Sequence, residues 1–192
     1  MKNKIIMYTR VASYLIIILV FVFSINRILA TPVDPNAKED EYFNLAQQKI
    51  DLYHPKKQDL VIIIDYRKDI FSERLFLLNM KTRKIILQST VAHAWNSGYL
   101  KPTEYSNVEG TNKSSKGVFM TKNSTYGKFG YSMVVKGLEK GINDNAQRRA
   151  IIFHSTKKMR SLWSHGCFAT DESVNKKLID QTKGGVLVCV IS

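Results

Sequence analysis

The chain has 192 residues, 44% of them hydrophobic, and a formal charge of +13 from 29 Lys and Arg against 16 Asp and Glu. That length holds one domain of ordinary size plus a short appendage and excludes two full domains. The positive balance suits partners that carry negative charge, such as nucleic acid, anionic headgroups or an acidic polymer, but the lysines are scattered, and a solvated surface accounts for them equally well.

In chain order, MKNKIIMYTR is basic through Lys2, Lys4 and Arg10, and VASYLIIILVFVFSI follows over residues 11–25 without a charge. A basic start before an apolar run has the form of a signal peptide or a signal-anchor helix, assigned to residues 1–30. Ala30 is small enough to end a cleaved leader, whereas Ile28 is bulky where a small residue is preferred. Cleavage and inner-membrane anchoring through residues 11–30 therefore both fit. Basic residues ahead of the run place the N-terminus in the cytoplasm and the rest in the periplasm or cell envelope.

Residues 31–57 form a linker and a short helix. TPVDPNAKEDE is polar and carries two prolines, and Phe43, Ala46, Ile50 and Tyr53 then recur at helical spacing until Pro55. Residues 58–192 are expected to be one catalytic-sized domain, mostly β (β-rich α+β). Strands are predicted over 60–66, 74–80 and 85–94, with a turn at 81–84, giving an antiparallel meander. Residues 95–116 are polar and aperiodic, and a loop of that size often lines a site. GVFMT and YSMVVKG are short strands, Asn143 caps a short helix over 144–149, and AIIFHS is an apolar strand that reaches His154. Thr170 caps a helix over 171–181 with Val174, Leu178 and Ile179 inward, Gly184 and Gly185 close it, and GVLVCVIS is the final strand.

The chemistry concentrates at SHGCFAT, residues 164–170. A thiol becomes a nucleophile as thiolate and needs a base or a positive charge nearby. His154 and His165 are the available imidazoles. If the strand ending in His154 lies beside Cys167, the two make a base and nucleophile pair on neighbouring strands. Gly166 would let a substrate approach the backbone, and N–H groups near Cys167 would face an oxyanion. Residue types and spacing leave three other readings open. Cys167 is ordinary core, or it ligates zinc with the histidines, or it forms a disulfide with Cys189, the only other cysteine.

SHGC with IIFHS upstream resembles the active-site signature of L,D-transpeptidase catalytic domains of the YkuD type. Val91-Ala92-His93-Ala94, Asn96-Ser97-Gly98, Ser106-Asn107 and the stretch from Gly117 to His154 are similar to a murein L,D-transpeptidase subgroup, and the resemblance covers residues 58–192. That subgroup often has tryptophan at the place of His165 and proline at that of Phe168, and the wider family has arginine or asparagine near Ala169 and Thr170. The resemblance implies a β-sandwich catalytic domain acting on peptidoglycan stem peptides. Cys167 would attack the carbonyl before the terminal D-Ala of a tetrapeptide, and His154 would take the thiol proton. The thioester would pass to an amine, giving a 3→3 cross-link, or to water, giving L,D-carboxypeptidase activity. Ser155 would orient His154 through its carbonyl, and His165 and Gly166 would shape the pocket, with Ser164, Tyr131 and His93 as further wall candidates. No metal or organic cofactor is implied, and no nucleic acid. The alternative is a catalytically weak or inactive wall-binding module on the same fold.

Overall fold

The computed structural model describes residues 17, 18, 20, 21, 37–156 and 162–192. The expected signal or anchor segment lies outside the described residues except for Ile17, Ile18, Val20 and Phe21, which are helical. Among the described residues no helix is long and apolar enough to cross a membrane. The chain forms two compact units, Met1–Lys38 and Glu39–Ser192, and the second carries the fold described below.

The elements are α1 (Ala37–Tyr53), β1 (Leu60–Asp65), β2 (Leu75–Asn79), β3 (Lys84–Ser89), β4 (His93–Ala94), a 3-10 turn at Trp95–Ser97, β5 (Gly117–Gly127), β6 (Gly130–Gly137), β7 (Ile152–Ser155), β8 (Trp163–Ser164), β9 (Phe168–Thr170), α2 (Glu172–Thr182) and β10 (Leu187–Ile191). The mostly β class is as expected, and the strands form one continuous eight-stranded sheet, ordered β3-β2-β1-β10-β5-β6-β7-β9, with a two-stranded companion, β4-β8, rather than two packed sheets of comparable size. The antiparallel β1–β2–β3 meander is as expected. Two parallel pairs are added by return of the chain: β1 with β10, and β7 with β9.

LVIIID of β1 is apolar without alternation because both of its faces are covered. Ile62 and Ile64 join the core under α2 with Phe119, Phe153, Phe168, Leu178 and Ile179. Val61 and Ile63 join the opposite face with Phe76, Leu78 and Cys189, where α1 inserts Tyr42, Phe43, Ala46 and Ile50. Helical spacing of those four residues puts them on one stripe, and each large one contributes about 1.5–3 kcal/mol by burial. Cys189 is therefore core, both cysteines are free thiols, and the Cys167–Cys189 disulfide is not formed.

Three local expectations are corrected. No helix forms over 144–149, which is turn. Asn143 is fully buried there, donating Nδ2 to the carbonyls of Lys116 (2.9 Å) and Val118 (3.0 Å) and accepting from Glu139 N at 2.9 Å. Its amide bridges backbone groups rather than capping a helix. The N-cap of α2 is Asp171, whose carboxylate accepts from Ser173 N at 2.9 Å, because Thr170 is buried as the last residue of β9. The β5–β6 hairpin also extends past the predicted GVFMT, with a bulge between Thr121 and Ser124.

At the end of β1 the buried Asp65 carboxylate accepts from Tyr42 of α1 at 2.7 Å and from Arg67 at 2.8 and 3.0 Å. Burial alone pushes its pKa up, but the hydrogen bonds from Arg67 and Tyr42 outweigh that and hold it below the usual carboxylate value. A depressed carboxylate stabilises the fold above its unfolded pKa and loses that contribution as pH falls through the folded value. Urea midpoints measured from about pH 6 down to pH 2 are thus expected to fall for the wild type and to fall less steeply for Asp65→Asn, which begins from a lower neutral-pH stability.

Candidate active site

Phe153 and Phe168 are paired across β7 and β9, and both point into the core with their rings 4.9 Å apart. Alternation along a strand then sends their neighbours to the other face. His154 stands beside Ala169 in the register, and one pleat earlier Cys167 follows the Ser164–Gly166 turn into β9. Cys167 thus directly precedes β9, the parallel partner of the strand that carries His154.

The His154 ring is fixed from two sides. Its Nδ1 donates to the carbonyl of Ser155 at 3.0 Å, which sets the tautomer and leaves Nε2 as an acceptor. The Phe129 ring from the β5–β6 hairpin tip lies against it at 4.8 Å. Burial lowers the pKa of His154, and the bond to Ser155 only partly opposes this. The imidazole is neutral at pH 7.

The Cys167 thiol donates to the carbonyl of Ala150 at 3.5 Å, and among the described residues it makes no hydrogen bond with His154. Burial raises its pKa, while a backbone hydrogen bond from Ile152 and the charge of Arg149 act in the opposite direction. The resting pair is thiol and imidazole.

The turn before Cys167 is held by its own side chains. Ser164 Oγ donates to the Cys167 carbonyl at 2.7 Å and accepts from Gly166 N at 3.1 Å, so that N–H is not available to an oxyanion. Gly166 has φ +127°, and a Cβ there would meet Ile151 Cδ1 at 3.0 Å and the Lys113 carbonyl at 3.2 Å. The room expected for substrate beside Gly166 is filled by the chain itself. Gly166→Ala is expected to destabilise the fold by about 1–3 kcal/mol in urea unfolding, since both the backbone region and the space disfavour a side chain.

The remaining predicted residues divide. His165 is exposed on the outer side of the turn. Tyr131 is committed elsewhere: its hydroxyl donates to Asp180 of α2 at 2.9 Å and its ring stacks on Tyr126. His93 is fully buried, accepting at Nδ1 from Arg74 (2.8 Å) and donating from Nε2 to the Gly98 carbonyl (2.8 Å). Burial pushes its pKa down to about 4. It anchors the start of the 95–116 loop rather than exchanging protons. That loop is closed on itself, with Ser114 N donating to Ser97 Oγ at 2.7 Å and Ala94 N to Ser114 Oγ at 2.8 Å. Phe168, Ala169 and Thr170 are all buried, so the residues after the cysteine are core and edge strand. A cleft beside β9 is lined by Val91, Ala92, Thr156, Leu162, Ala169 and Thr170. Phe129 and Arg149 were not singled out from sequence: one lies in a glycine-flanked hairpin tip, the other in a chain rich in basic residues.

A family profile for the L,D-transpeptidase catalytic domain matches residues 34–191, and the chain belongs to that family. Among solved structures it is similar to an L,D-transpeptidase from Enterococcus faecium, with 18% identity, 69% of this chain and 49% of that one covered, and a TM-score of 0.45. The corresponding values are 9%, 70%, 59% and 0.44 for an L,D-transpeptidase from Mycobacterium smegmatis. For the helical cell shape determining protein Pgp2 from Campylobacter jejuni they are 11%, 77%, 53% and 0.47. The chain spans about half the length of these structures. No curated protein sequence matches it.

Proposed function

We propose that this protein is a peptidoglycan L,D-transpeptidase of the cell envelope, with Cys167 as nucleophile and His154 as base. The observation that supports it is that Cys167 enters β9 beside β7, the parallel strand that carries His154, with Nε2 of His154 left as the acceptor by the Ser155 carbonyl. His154 takes the thiol proton as Cys167 turns from Ala150. The thiolate sulfur bonds to the carbonyl carbon between the third stem residue and the terminal D-Ala. The C–N bond then breaks, and the proton on His154 goes to the departing D-Ala amine. An amine of a second stem attacks the thioester and restores the thiol, leaving a 3→3 cross-link; water in its place gives a tripeptide. Phe129 and His165 form the rim, and Gly166 and Ser164 hold the nucleophile turn. Residues 11–30 export the chain and either are cleaved or anchor it in the inner membrane, and the net charge of +13 favours a polymer whose stems carry carboxylates.

One observation favours the second reading, an inactive wall-binding module. In this structure the thiol is engaged with Ala150 and burial raises its pKa. Mass spectrometry of disaccharide-tetrapeptides incubated with the purified protein separates the two. The enzyme releases D-Ala and accumulates a thioester adduct on Cys167. Retention of intact tetrapeptide with unmodified protein supports the module.

A further inference from the structure

The turn that precedes β7 carries an arginine whose position is not explained by the Cys167–His154 pair. Nη2 of Arg149 donates to the Lys113 carbonyl at 2.6 Å, and Nη1 donates to the Ser106 carbonyl and to Ser115 Oγ. Nη2 also lies 3.7 Å from the position a Cβ on Gly166 would take, directly before Cys167. The next residue, Ala150, has φ +53° and presents the carbonyl that receives the Cys167 thiol. All three acceptors of Arg149 are neutral, and among the described residues it pairs with no carboxylate. Its charge is therefore half-buried and uncompensated beside the turn that leads into Cys167. Arg148 provides the contrast: it is exposed and faces Glu109 at 3.8 Å.

We infer that Arg149 is a positioning residue for Cys167: it ties the nucleophile turn to the 104–115 segment and supplies the positive charge that a Cys167 thiolate faces. The inference rests on Cys167 being the reactive thiol. A guanidinium cannot be titrated away in the working range, so it offers a constant field to an anion that forms beside it. The electrostatic direction agrees, with the Arg149 charge and the Cys167 thiolate favouring one another. The other titratable groups around the sulfur do not replace it. His154 is neutral, His165 is exposed, and the buried Tyr66 phenol stays protonated and donates to the Ala92 carbonyl at 3.0 Å.

The test is the rate of iodoacetamide alkylation against pH in the full chain, with peptide mass mapping to separate Cys167 from the buried Cys189. The midpoint reports the thiolate pKa, and the alkaline plateau reports access to the sulfur. Arg149→Gln is expected to raise the midpoint by about one unit, which slows alkylation about tenfold near pH 7, with the plateau unchanged. Arg148→Gln is expected to behave as wild type. An unmoved midpoint, an equal shift in Arg148→Gln, or a change confined to the plateau overturns the charge role. Should the glutamine variant not fold, Arg149→Lys decides: charge retention predicts a midpoint within about 0.3 unit of wild type, and a rise of a full unit overturns the inference. The readout needs no turnover, so absence of D-Ala release by the wild type would refute the proposed function while leaving the midpoint result to stand on its own.

Discussion

Cys167→Ala is expected to abolish D-Ala release from tetrapeptide muropeptides, and His154→Ala to slow it by about 10²–10⁴-fold. The two losses differ because the roles differ. Without sulfur there is no acyl acceptor and no thioester. Without the imidazole a thiolate still forms, but only to the extent that the medium supplies it. Burial displaces the two groups in opposite directions, His154 downward and Cys167 upward. A neutral pair reacts when His154 is unprotonated and the thiol still carries its proton. The acidic limb of the rate against pH therefore lies below the ordinary imidazole value of about 6.5, and the alkaline limb lies above the ordinary thiol value of about 8.5. His154→Ala is expected to remove the acidic limb and leave a rate that climbs with pH as thiolate accumulates. Unchanged D-Ala release in Cys167→Ala would sink the assignment of the nucleophile. An acidic limb that persists in His154→Ala would assign the base elsewhere.

The parts of the fold that were legible are those where burial leaves a pattern in the letters. β1, β2, β3 and β10 are written as apolar or alternating runs, and α1 as a stripe of Phe43, Ala46 and Ile50. Strand partners are not written that way: nothing in LVIIID says that its neighbour is the last strand, yet that pairing and the β7–β9 pairing build the site. The far half of β5 was missed because Lys122, Asn123, Ser124 and Tyr126 project from the core and carry no apolar alternation. Cys167 and His154 were legible as residues able to react. Arg149 and the buried side chain of Arg74 were not, since their partners are mainly backbone carbonyls, and a carbonyl is present at every position of a sequence.

Arg74→Met is expected to cost about 2–4 kcal/mol of stability and to loosen the 95–116 loop. Arg74 is fully buried and makes no carboxylate ion pair among the described residues. Its guanidinium donates to the Val91 carbonyl at 3.0 and 2.7 Å, to the Lys68 carbonyl at 3.3 Å and to His93 Nδ1 at 2.8 Å, and lies 4.9 Å from the Tyr66 ring centre. Two effects oppose one another. Removing the cation relieves its desolvation, which burial already registers as a lowered pKa. It also leaves buried acceptors without donors, at about 1–3 kcal/mol each. Methionine fills most of the volume but donates nothing, and several acceptors share the loss, so the second effect is the larger. The result reaches the loop through His93, whose Nδ1 accepts from Arg74 and whose Nε2 donates to Gly98. Burial is the main cause of the low His93 pKa and the Arg74 charge adds to it, so the variant's His93 titrates higher, nearer the ordinary value. The linkage sign follows: a histidine pushed down to about 4 in the folded state stabilises above its unfolded pKa of about 6.5, and loses that contribution as pH falls toward 4. Urea unfolding between about pH 7 and pH 4 should show a shallower decline in Arg74→Met than in wild type, from a lower start, with faster proteolytic cleavage within residues 95–116. Equal stability of the two proteins at pH 7 would mean that the relief of desolvation cancels the cost of the orphaned acceptors, and would overturn the expected loss.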